Sequence, residues 1–434
     1  MKDASSAAVG FAGLSHLGIV SSLAAAARGF EVIAFDPRGG WCGELNAGRL
    51  PVREPGLDEL FQQHRGRVLY TASLADLARC GLIFLSLDVA TDDDNRSDTA
   101  PVRELIRQVA GQAGRETAVV VLSQVPPGFS RRMGRENFFY QVETLVFGNA
   151  VERALQPERF IIGCADPRAP LPEAYVRFLA AFGCPVLRMR YESAELAKIA
   201  INCFLASSVS TSNMLAEICE RIGADWGEMI PALRLDRRIG PHAYLSPGLG
   251  IAGGNLERDL ATVEALAAEY GADGGPAAAW LRNSAWRRDW ALRLLHAKGL
   301  LARPGAVLAV WGLAYKPETH STKNSPALAL LDAIGAVGGS RVQAFDPAVT
   351  LEAGRYPRAV GCGSPLEAAG GADALILITP WKEFLGAPLE EVKKAMRGSL
   401  LLDPYGLLDR ATAEGLGFEY HRLGAGRLSA DASA

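Results

Sequence analysis

The chain has 434 residues, with 45 lysines and arginines against 48 aspartates and glutamates, and a formal net charge of −3. This length predicts two or three domains, and the near-neutral charge balance gives no basic footprint for nucleic acid or an anionic membrane surface. Hydrophobic residues make up 49% and charged residues 21% of the chain, which is typical of a folded globular protein rather than a disordered one.

Neither a membrane span nor an export signal is expected from the sequence. No apolar run approaches the roughly eighteen residues that a transmembrane helix needs, and Met1–Ser6 lacks the apolar core of a secretory signal. The seven cysteines are scattered, odd in number and never spaced as CxxC, which indicates neither a disulfide framework nor a zinc site. We therefore expect a cytoplasmic protein without a bound metal.

The first elements have the pattern of a strand, a glycine turn, a helix and a second strand. They are the apolar run Ala7–Ala12, the turn Gly13–Gly18, an alanine-rich helix over Ile19–Arg28 and the strand Glu31–Phe35. In dinucleotide-binding folds such glycines let the backbone approach a pyrophosphate at a helix N-terminus, and an acidic residue after the second strand binds the ribose. Asp36 occupies that acidic position, whereas Ser15 replaces the middle glycine. A generic strand–turn–helix corner is the alternative.

A helical middle separates this unit from a second copy of the pattern. Apolar residues recur at helical spacing over Ser193–Gly223 and from about Leu256 to Lys298, around an irregular loop over Arg238–Gly254. The C-terminal copy comprises the strand Val307–Gly312, the helix Pro326–Val337, the strand Arg341–Phe345 ending in Asp346-Pro347, and the strand Ala374–Thr379. We predict an α/β fold in which two Rossmann-like doubly wound domains, residues 1–190 and 301–434, are joined by a central helical region, residues 191–300.

Several segments are more specific than this general pattern. They are Glu44–Leu57 (ELNAGRLPVREPGL), Ser123–Gly128 (SQVPPG), Ala194–Asn202 (AELAKIAIN), Arg238–Gly240 (RIG), Pro247–Gly250 (PGLG), Gly312–Pro317 (GLAYKP) and Ser325-Pro326. In this order they resemble the motifs of the UDP-glucose/GDP-mannose dehydrogenase family. The resemblance implies an NAD-binding N-terminal domain, a helical region that forms a homodimer, and a C-terminal domain for a nucleotide-sugar substrate, a UDP-, GDP- or ADP-hexose of polysaccharide or glycoside biosynthesis.

The resemblance also implies catalytic roles. The family oxidises a primary alcohol twice to the carboxylate, and a cysteine thiolate traps the intermediate aldehyde. Lys198 and Asn202, four residues apart on one helix, would stabilise the developing alkoxide, with a solvated helix face as the ordinary alternative. Asp259 resembles the base that positions water, although an acid interacting with the helix dipole is the alternative. Glu143 falls on the first acid of the family's PEFLxEG segment.

The same alignment reveals departures from the family. Asn255 falls on the catalytic cysteine, Phe147 on the second glutamate of PEFLxEG, and Gln124 on the threonine of STVP. An amide cannot act as a thiolate, so the thioester route is closed. Asn255 also suits a helix N-cap. Cys203 is not expected to substitute, because it points about 100° away from its neighbour Asn202 around the helix.

The remaining site predictions concern the cofactor and the substrate. The predicted cofactor-binding residues are Gly13, Ser15, Leu17, Gly18, Asp36, Ser123 and Lys323. The predicted substrate-binding residues are Arg238, Tyr244, Gly250 and Lys316. The family's VxTP segment is replaced by Leu87–Ala90, followed by the acidic run Asp92–Asp94, for which a solvated loop is the ordinary explanation.

Together these patterns favour an NAD-dependent nucleotide-sugar oxidoreductase, resembling UDP-glucose 6-dehydrogenase, that stops after one two-electron oxidation. Two alternatives remain open. One is a redox epimerase that reduces the carbonyl again with the same NADH, and the other is a non-catalytic homologue that only binds a nucleotide sugar. We expect a homodimer, with no nucleic-acid or membrane partner.

Overall fold

The computed structural model describes residues 7–92, 97–352 and 354–426. The predictions made on Met1–Ser6, Asp93 and Asp94 lie outside the described residues. The chain divides into two units, Met1–Ile201 and Asn202–Ala434. Each unit has its own sheet, and each is described separately.

Eight strands form the sheet of the first unit. They are β1 (Ala8–Ala12), β2 (Val32–Phe35), β3 (Val68–Thr71), β4 (Cys80–Leu85), β5 (Ala118–Val121), β6 (Phe138–Gln141), β7 (Phe160–Cys164) and β8 (Val186–Arg190). Their order across the sheet is β3-β2-β1-β4-β5-β6-β7-β8, and neighbouring strands are parallel except for the antiparallel pair β6 and β7. The central strands are continuous apolar runs, as expected where both faces of a sheet are covered.

Helices cover both faces of this sheet. They are α1 (His16–Ala27), α2 (Gly39–Asn46), α3 (Leu57–His64), α4 (Ala100–Gln112), α5 (Ala150–Leu155) and α6 (Glu173–Ala180), and α7 (Tyr191–Ile222) starts in this unit. Val9 and Phe11 belong to the core on the α1 face, whereas Ile83 and Val119 belong to the core on the α4 face. Because side chains alternate along each strand, one apolar run supplies both cores.

The second unit begins with helices and ends with a six-stranded sheet. Its helices are α8 (Trp226–Leu235), α9 (Asn255–Tyr270), α10 (Gly275–Arg288), α11 (Trp290–Ala297), α12 (Pro326–Val337), α13 (Pro365–Ala369), α14 (Leu389–Ala395) and α15 (Arg410–Gly415). Its strands are β9 (Val307–Trp311), β10 (Arg341–Phe345), β11 (Ala359–Gly361), β12 (Ala374–Leu377), β13 (Leu400–Leu402) and β14 (Glu419–His421). The fully parallel order β11-β10-β9-β12-β13-β14 is that of a doubly wound Rossmann sheet.

These sheets confirm the predicted fold class of two Rossmann-like α/β halves with helices between them in sequence. The helical stretch predicted from about Leu256 to Lys298 comprises the three helices α9, α10 and α11. Gly271, with a left-handed backbone (φ 69°), ends α9, and Gly274 precedes α10. A glycine in that conformation is a common helix terminator, because it has no side chain to clash there.

The helix α7 is unusually long and apolar. Among the described residues it is the helix with the length and composition to cross a membrane, with a mean hydropathy of 1.2 over its most apolar stretch. Several large apolar side chains of its second-unit part are exposed, including Phe204, Met214, Ile218 and Ile222. These exposed side chains are the apolar surface of α7 to which an interaction partner could bind.

Candidate active site

The turn between β1 and α1 requires glycine at two positions. Gly13 has a left-handed backbone (φ 96°), and a Cβ added to Gly18 would lie 1.9 Å from the Gly13 carbonyl oxygen. Ser15 donates its hydroxyl to the Ser86 carbonyl oxygen at 2.9 Å and does not cap the helix with its side chain. The first amides of a helix lack partners within the helix and attract anions. The turn therefore fits a pyrophosphate, although Leu17 is buried and contributes only its backbone.

Asp36, at the end of β2, is 1% exposed and surrounded by donors. Its Oδ2 accepts from the Leu14 amide at 2.9 Å, and Arg38 binds both carboxylate oxygens, with Nε 2.7 Å from Oδ1 and Nη2 2.8 Å from Oδ2. Burial alone would raise the pKa of Asp36, but these bonds hold it below its ordinary value. The Arg38 guanidinium lies 4.3 Å from the centroid of the Trp41 ring. Asp36 was predicted from the motif, whereas Arg38 and Trp41 belong to no motif and were not predicted.

A second missed contact joins the glycine turn to α5. Nε2 of His16 lies 2.9 Å from Oε2 of Glu54, whose Oε1 accepts from the Ala150 amide at 2.8 Å. The His16 ring also packs against Phe147, with 4.3 Å between the ring centroids. The buried Glu54 of the EPGL motif thus bridges the turn and the N-terminus of α5. Phe147, which stands where the family has an acid, is a packing partner of the turn.

The loop after β5 is tied to its neighbours by buried polar groups. The hydroxyl of Ser123 donates to the Leu87 carbonyl oxygen at 2.6 Å. Glu195, in the first turns of α7, is fully buried and accepts from the amides of Gly128 at 2.5 Å and Ser130 at 2.8 Å. Burial raises the pKa of Glu195 although these amides oppose the shift. Ser123 therefore has a structural role in holding the two loops that follow β4 and β5 together.

Glu143 and Lys198 interact electrostatically within the first unit. Burial raises the pKa of Glu143, and the opposing effects of the Lys198 ammonium and the Leu145 amide compensate only in part. The carboxyl group borders a cavity with an apolar lining that includes Leu17 and Phe84. A buried carboxyl group whose pKa is raised by its environment and that borders a cavity is a candidate general acid or base.

In the second unit, Asn202 and Asp259 form a direct hydrogen bond. The Asn202 Nδ2 donates to Oδ2 of Asp259 at 2.5 Å, and the side chains are 9% and 1% exposed. Nε of Arg258 lies 3.4 Å from the other carboxylate oxygen, Oδ1. Because Asn202 is buried, it does not lie on a solvated face of its helix, which was the alternative explanation for this residue. Asp259 is the fifth residue of α9 and is buried, with side-chain partners at both carboxylate oxygens.

Asn255 is the first residue of α9 and not its N-cap. The N-cap is Gly254, whose left-handed backbone (φ 86°) turns the chain one residue earlier, so the predicted N-cap role of Asn255 is wrong. Glu257, three residues after the N-cap, accepts from the Gly254 amide at 3.1 Å. The side chain of Asn255 is exposed at the N-terminus of the helix.

None of the seven cysteines is activated as a nucleophile, and all seven lie in the described part of the chain. Burial raises the pKa of every thiol. The pKa of Cys80 reaches about 12. Cys203, the thiol adjacent to Asn202, is shifted further by the nearby Asp259. A raised pKa keeps a thiol protonated, so none of these groups is a ready thiolate.

Lys323 borders the loop that leads to Asn255. Its carbonyl oxygen accepts from the Gly253 amide at 3.1 Å, and a Cβ added to Gly254 would lie 3.2 Å from its Cγ. The side-chain amide of Asn324 donates to the Glu257 carboxylate at 3.0 Å, so a second hydrogen bond joins this segment to the start of α9. Lys323, predicted to bind the cofactor, is thus a neighbour of Asn255 within the second unit.

The predicted substrate-binding residues occupy two loops of the second unit: Arg238, Tyr244 and Gly250 lie between α8 and α9, and Lys316 lies between β9 and α12. Arg238 is exposed and forms a bidentate ion pair with Asp236, with distances of 3.0 and 2.6 Å. Tyr244 has an exposed ring, and Nζ of Lys316 lies 5.7 Å from the centroid of the Tyr315 ring.

Gly250 has a structural reason to be glycine. Its backbone is left-handed (φ 79°), and an added Cβ would lie 2.4 Å from the Ser284 carbonyl oxygen. The Ser284 hydroxyl also accepts from the Ile251 amide at 2.7 Å, so this loop is held against α10.

The second sheet repeats the turn of the first sheet. Gly312 has φ 95° and donates to the Phe345 carbonyl oxygen at 2.8 Å, as Gly13 does to Phe35 at 2.9 Å. Asp346, the counterpart of Asp36, accepts from the amides of Leu313, Ala314, Ala348 and Val349 and from the indole of Trp381. This repeat agrees with the sequence similarity of the two strand ends. With five protein donors, Asp346 serves to fix its turn.

Three models of one family match consecutive parts of the chain. The NAD binding domain of the UDP-glucose/GDP-mannose dehydrogenase family matches residues 7–178, its central domain residues 192–282, and its UDP binding domain residues 309–410. The first match confirms the predicted NAD cofactor, and the third supports a nucleotide-sugar substrate.

Similar proteins cover nearly the whole chain. The chain is 32% identical to a UDP-glucose 6-dehydrogenase of Pseudomonas aeruginosa, over 97% of this chain and 99% of that protein. It is 30% identical to a UDP-glucose 6-dehydrogenase of Rhizobium meliloti, over 95% and 98%. The solved structure of a UDP-glucose dehydrogenase from Pyrobaculum islandicum matches with a TM-score of 0.84 and 26% identity, over 98% and 99% of the two chains. On these matches, the chain belongs to the UDP-glucose/GDP-mannose dehydrogenase family.

Proposed function

We propose that the chain is an NAD-dependent oxidoreductase that removes one hydride from a CH–OH group of a nucleotide sugar and releases the carbonyl product. The observation that carries the proposal is Asn255 at the position where the resembling motif has its cysteine. The raised pKa values of all seven thiols support it, because a protonated thiol does not add readily to an aldehyde. A second oxidation through a thioester therefore lacks its nucleophile.

The first unit supplies groups that fit the cofactor. The N-terminus of α1 suits the pyrophosphate, and Asp36 suits the adenosine ribose. NAD, when bound, accepts the hydride from the sugar carbon. The positive charge of the Lys198 ammonium stabilises the alkoxide. Glu143, which has a pKa raised by burial, accepts the proton of the hydroxyl group.

Asn202 and Asp259 act together in this proposal. One N–H of the Asn202 amide donates to Asp259 at 2.5 Å, and the second N–H stabilises the alkoxide. Since no thioester forms in this reaction, no covalent intermediate has to be hydrolysed. Asp259 is then not required to position water for hydrolysis. We therefore assign Asp259 the task of orienting Asn202, and Arg258 holds its other oxygen.

For the substrate we propose a UDP-hexose, ahead of the GDP- and ADP-hexoses. The match of residues 309–410 to a UDP binding domain supports this choice, as do the relatives that are UDP-glucose 6-dehydrogenases. Arg238 and Lys316 offer the cations that a diphosphate requires.

The decisive experiment is product analysis. Purified protein is incubated with NAD and a panel of UDP-, GDP- and ADP-hexoses. The amount of NADH formed per sugar is measured, and the mass of the product is determined by mass spectrometry. We expect one NADH per sugar and a product two hydrogens lighter. Two NADH per sugar with a carboxylate product would overturn the proposal. Inversion at a sugar carbon without net NADH would identify a redox epimerase, and tight sugar binding without any turnover would identify a non-catalytic homologue.

We also propose that α7 forms a homodimer interface. Its side chains Phe204 and Ile222 are 79% and 70% exposed, and Ile218 lies on the same side of the helix as Phe204. Elsewhere on α7, Glu220 pairs with the fully buried Arg287 of α10 at 2.8 Å. An ion pair that ties α7 to α10, with the arginine fully buried and the glutamate partly exposed, disfavours a helix that spans lipid and favours a protein partner. Sedimentation equilibrium of the purified chain is expected to give the mass of a dimer, and a monomer at micromolar concentration would contradict this proposal.

A further inference from the structure

Arg38 and Trp41 have no part in the reaction proposed above, yet they form an ordered group at the end of β2. Trp41 donates from Nε1 to the Leu14 carbonyl oxygen at 2.8 Å, which fixes the ring against the glycine turn. The guanidinium of Arg38 rests on that ring at 4.3 Å and is bonded to the buried Asp36 through Nε and Nη2. The cation is therefore held in one orientation beside the carboxylate that suits the adenosine ribose.

This arrangement changes the charge at the ribose position. An aspartate at the end of the second strand normally favours the free 2′-hydroxyl of NAD, and it repels the 2′-phosphate of NADP by its charge. Here the carboxylate is paired with a guanidinium, so the net charge of the pair is zero. The repulsion that enforces NAD specificity is thereby removed.

The space beside Arg38 is open. Its side chain is 53% exposed, and within the described residues no acceptor is bonded to its Nη1. A Cβ added to Gly40 would meet nothing within 4 Å, and one added to Gly39 would meet only the Cβ of Ala72 at 3.8 Å. The two glycines begin α2 directly after Arg38, and the first amides of a helix favour an anion.

We propose that the first unit binds NADP as well as NAD, and that Arg38 receives the 2′-phosphate. The ribose of NAD competes with Arg38 for Asp36, whereas the 2′-phosphate of NADP engages the free edge of the same guanidinium. The inference rests on the dinucleotide-binding fold and does not depend on the one-hydride reaction proposed above.

The test is direct binding of NAD and NADP by calorimetry to the full chain and to three variants. For the unaltered chain we expect dissociation constants for the two dinucleotides within about tenfold of each other. Arg38→Ala is expected to weaken NADP binding by about tenfold to a hundredfold, the effect of losing a hydrogen bond to a charged group, while NAD affinity holds or tightens. Arg38→Lys keeps the charge without the planar fork, so its NADP affinity should lie between the two.

A matched control keeps folding and general charge effects apart from the site. Arg65 also lies over an aromatic ring, that of Phe61 at 5.8 Å, and its side chain is exposed in the same unit. Arg65→Ala should leave both affinities unchanged, and thermal unfolding checks that every variant is folded.

Two binding results would overturn the inference. One is NAD binding by the unaltered chain with NADP more than about a hundredfold weaker, and the other is an equal loss of both dinucleotides in Arg38→Ala. Either result leaves the one-hydride reaction standing. Conversely, a carboxylate product with NADP binding intact would remove the proposed reaction and leave this inference.

Discussion

Replacing Asn255 by cysteine puts a thiol at the exposed first position of a 16-residue helix. A helix N-terminus stabilises a negative charge by about 0.3–2 kcal/mol, depending on exposure. At about 1.4 kcal/mol per pKa unit, this lowers the pKa of the introduced thiol by roughly 0.2–1.5 units from an ordinary value near 8.5. Glu257 opposes the shift and the ammonium of Lys323 supports it, so we expect a pKa of about 7–8.3.

The assay is the rate of alkylation by iodoacetamide as a function of pH. Asn255→Ser is the matched control, because it has nearly the size of the cysteine variant but no thiol. Since the pKa of every native cysteine is raised, the fast-labelled group at neutral pH in Asn255→Cys should be the introduced one. Peptide mapping by mass spectrometry identifies it.

Two results would refute the reasoning behind Asn255→Cys. An inflection of the labelling rate at about pH 9 or above would show that the start of α9 does not stabilise a thiolate. Equally fast labelling of the serine control would show that a native thiol is already reactive, and the absence of a nucleophile could no longer explain a single oxidation.

The remaining predictions concern the proton-transfer groups, the glycine turn and the dimer. Asn202→Ala removes the amide that bonds Oδ2 of the buried Asp259. This change should lower kcat/KM by about tenfold to a hundredfold, measured as initial NADH formation; an unchanged value would remove Asn202 from the site. Glu143 has a pKa raised from 4.5, so its contribution to stability is complete below that pH and is lost as pH rises through the folded-state pKa. Glu143→Gln should therefore gain stability relative to the unaltered chain as the pH of urea unfolding rises above 4.5, whereas a difference independent of pH would contradict the shift. Gly18→Ala should cost about 1–3 kcal/mol and weaken NAD binding because its Cβ meets a carbonyl oxygen, while Gly111→Ala, where an added Cβ meets nothing within 4 Å, should be neutral or slightly stabilising. Phe204→Asp should shift the sedimentation equilibrium toward monomer without changing the thermal unfolding of the isolated subunit, and an unchanged dimer would place the interface elsewhere.

The fold could be predicted from the sequence where apolar runs and turn glycines coincide. The helix Pro326–Val337 and the strand Arg341–Phe345 have the bounds expected from periodicity, because a capping serine and a glycine-containing loop mark their ends. The antiparallel pairing of β6 with β7 was not predictable, since a short strand carries no signal for its partner or direction. In a glycine-rich loop, the backbone conformation decides at which residue a helix starts. The N-cap of α9 is therefore Gly254 and not the predicted Asn255.

In the candidate site, too, the residues that belong to a motif were predictable, and the contacts that depend on folding were not. Asp36 was identified because a motif places an acid at a fixed distance from a glycine turn, and Asp259 because a resemblance assigns it. The contacts that set their properties were not predicted: Arg38 belongs to no motif, and Asn202, although its own motif identified it, lies 57 residues from the carboxylate that it contacts. Burial, which raises the pKa of Glu143, likewise depends on packing that no local pattern encodes.

Glu195 gives the first unit a mechanical property. The buried carboxylate, in the first turns of α7, accepts hydrogen bonds from the amides of Gly128 and Ser130. Lys198 follows three residues later on the same helix. One helix turn separates Glu195 from Lys198, so the loop after β5 is anchored directly beside the segment that carries this ammonium. We therefore expect a ligand that displaces the loop to shift the start of α7 and, with it, the position of Lys198.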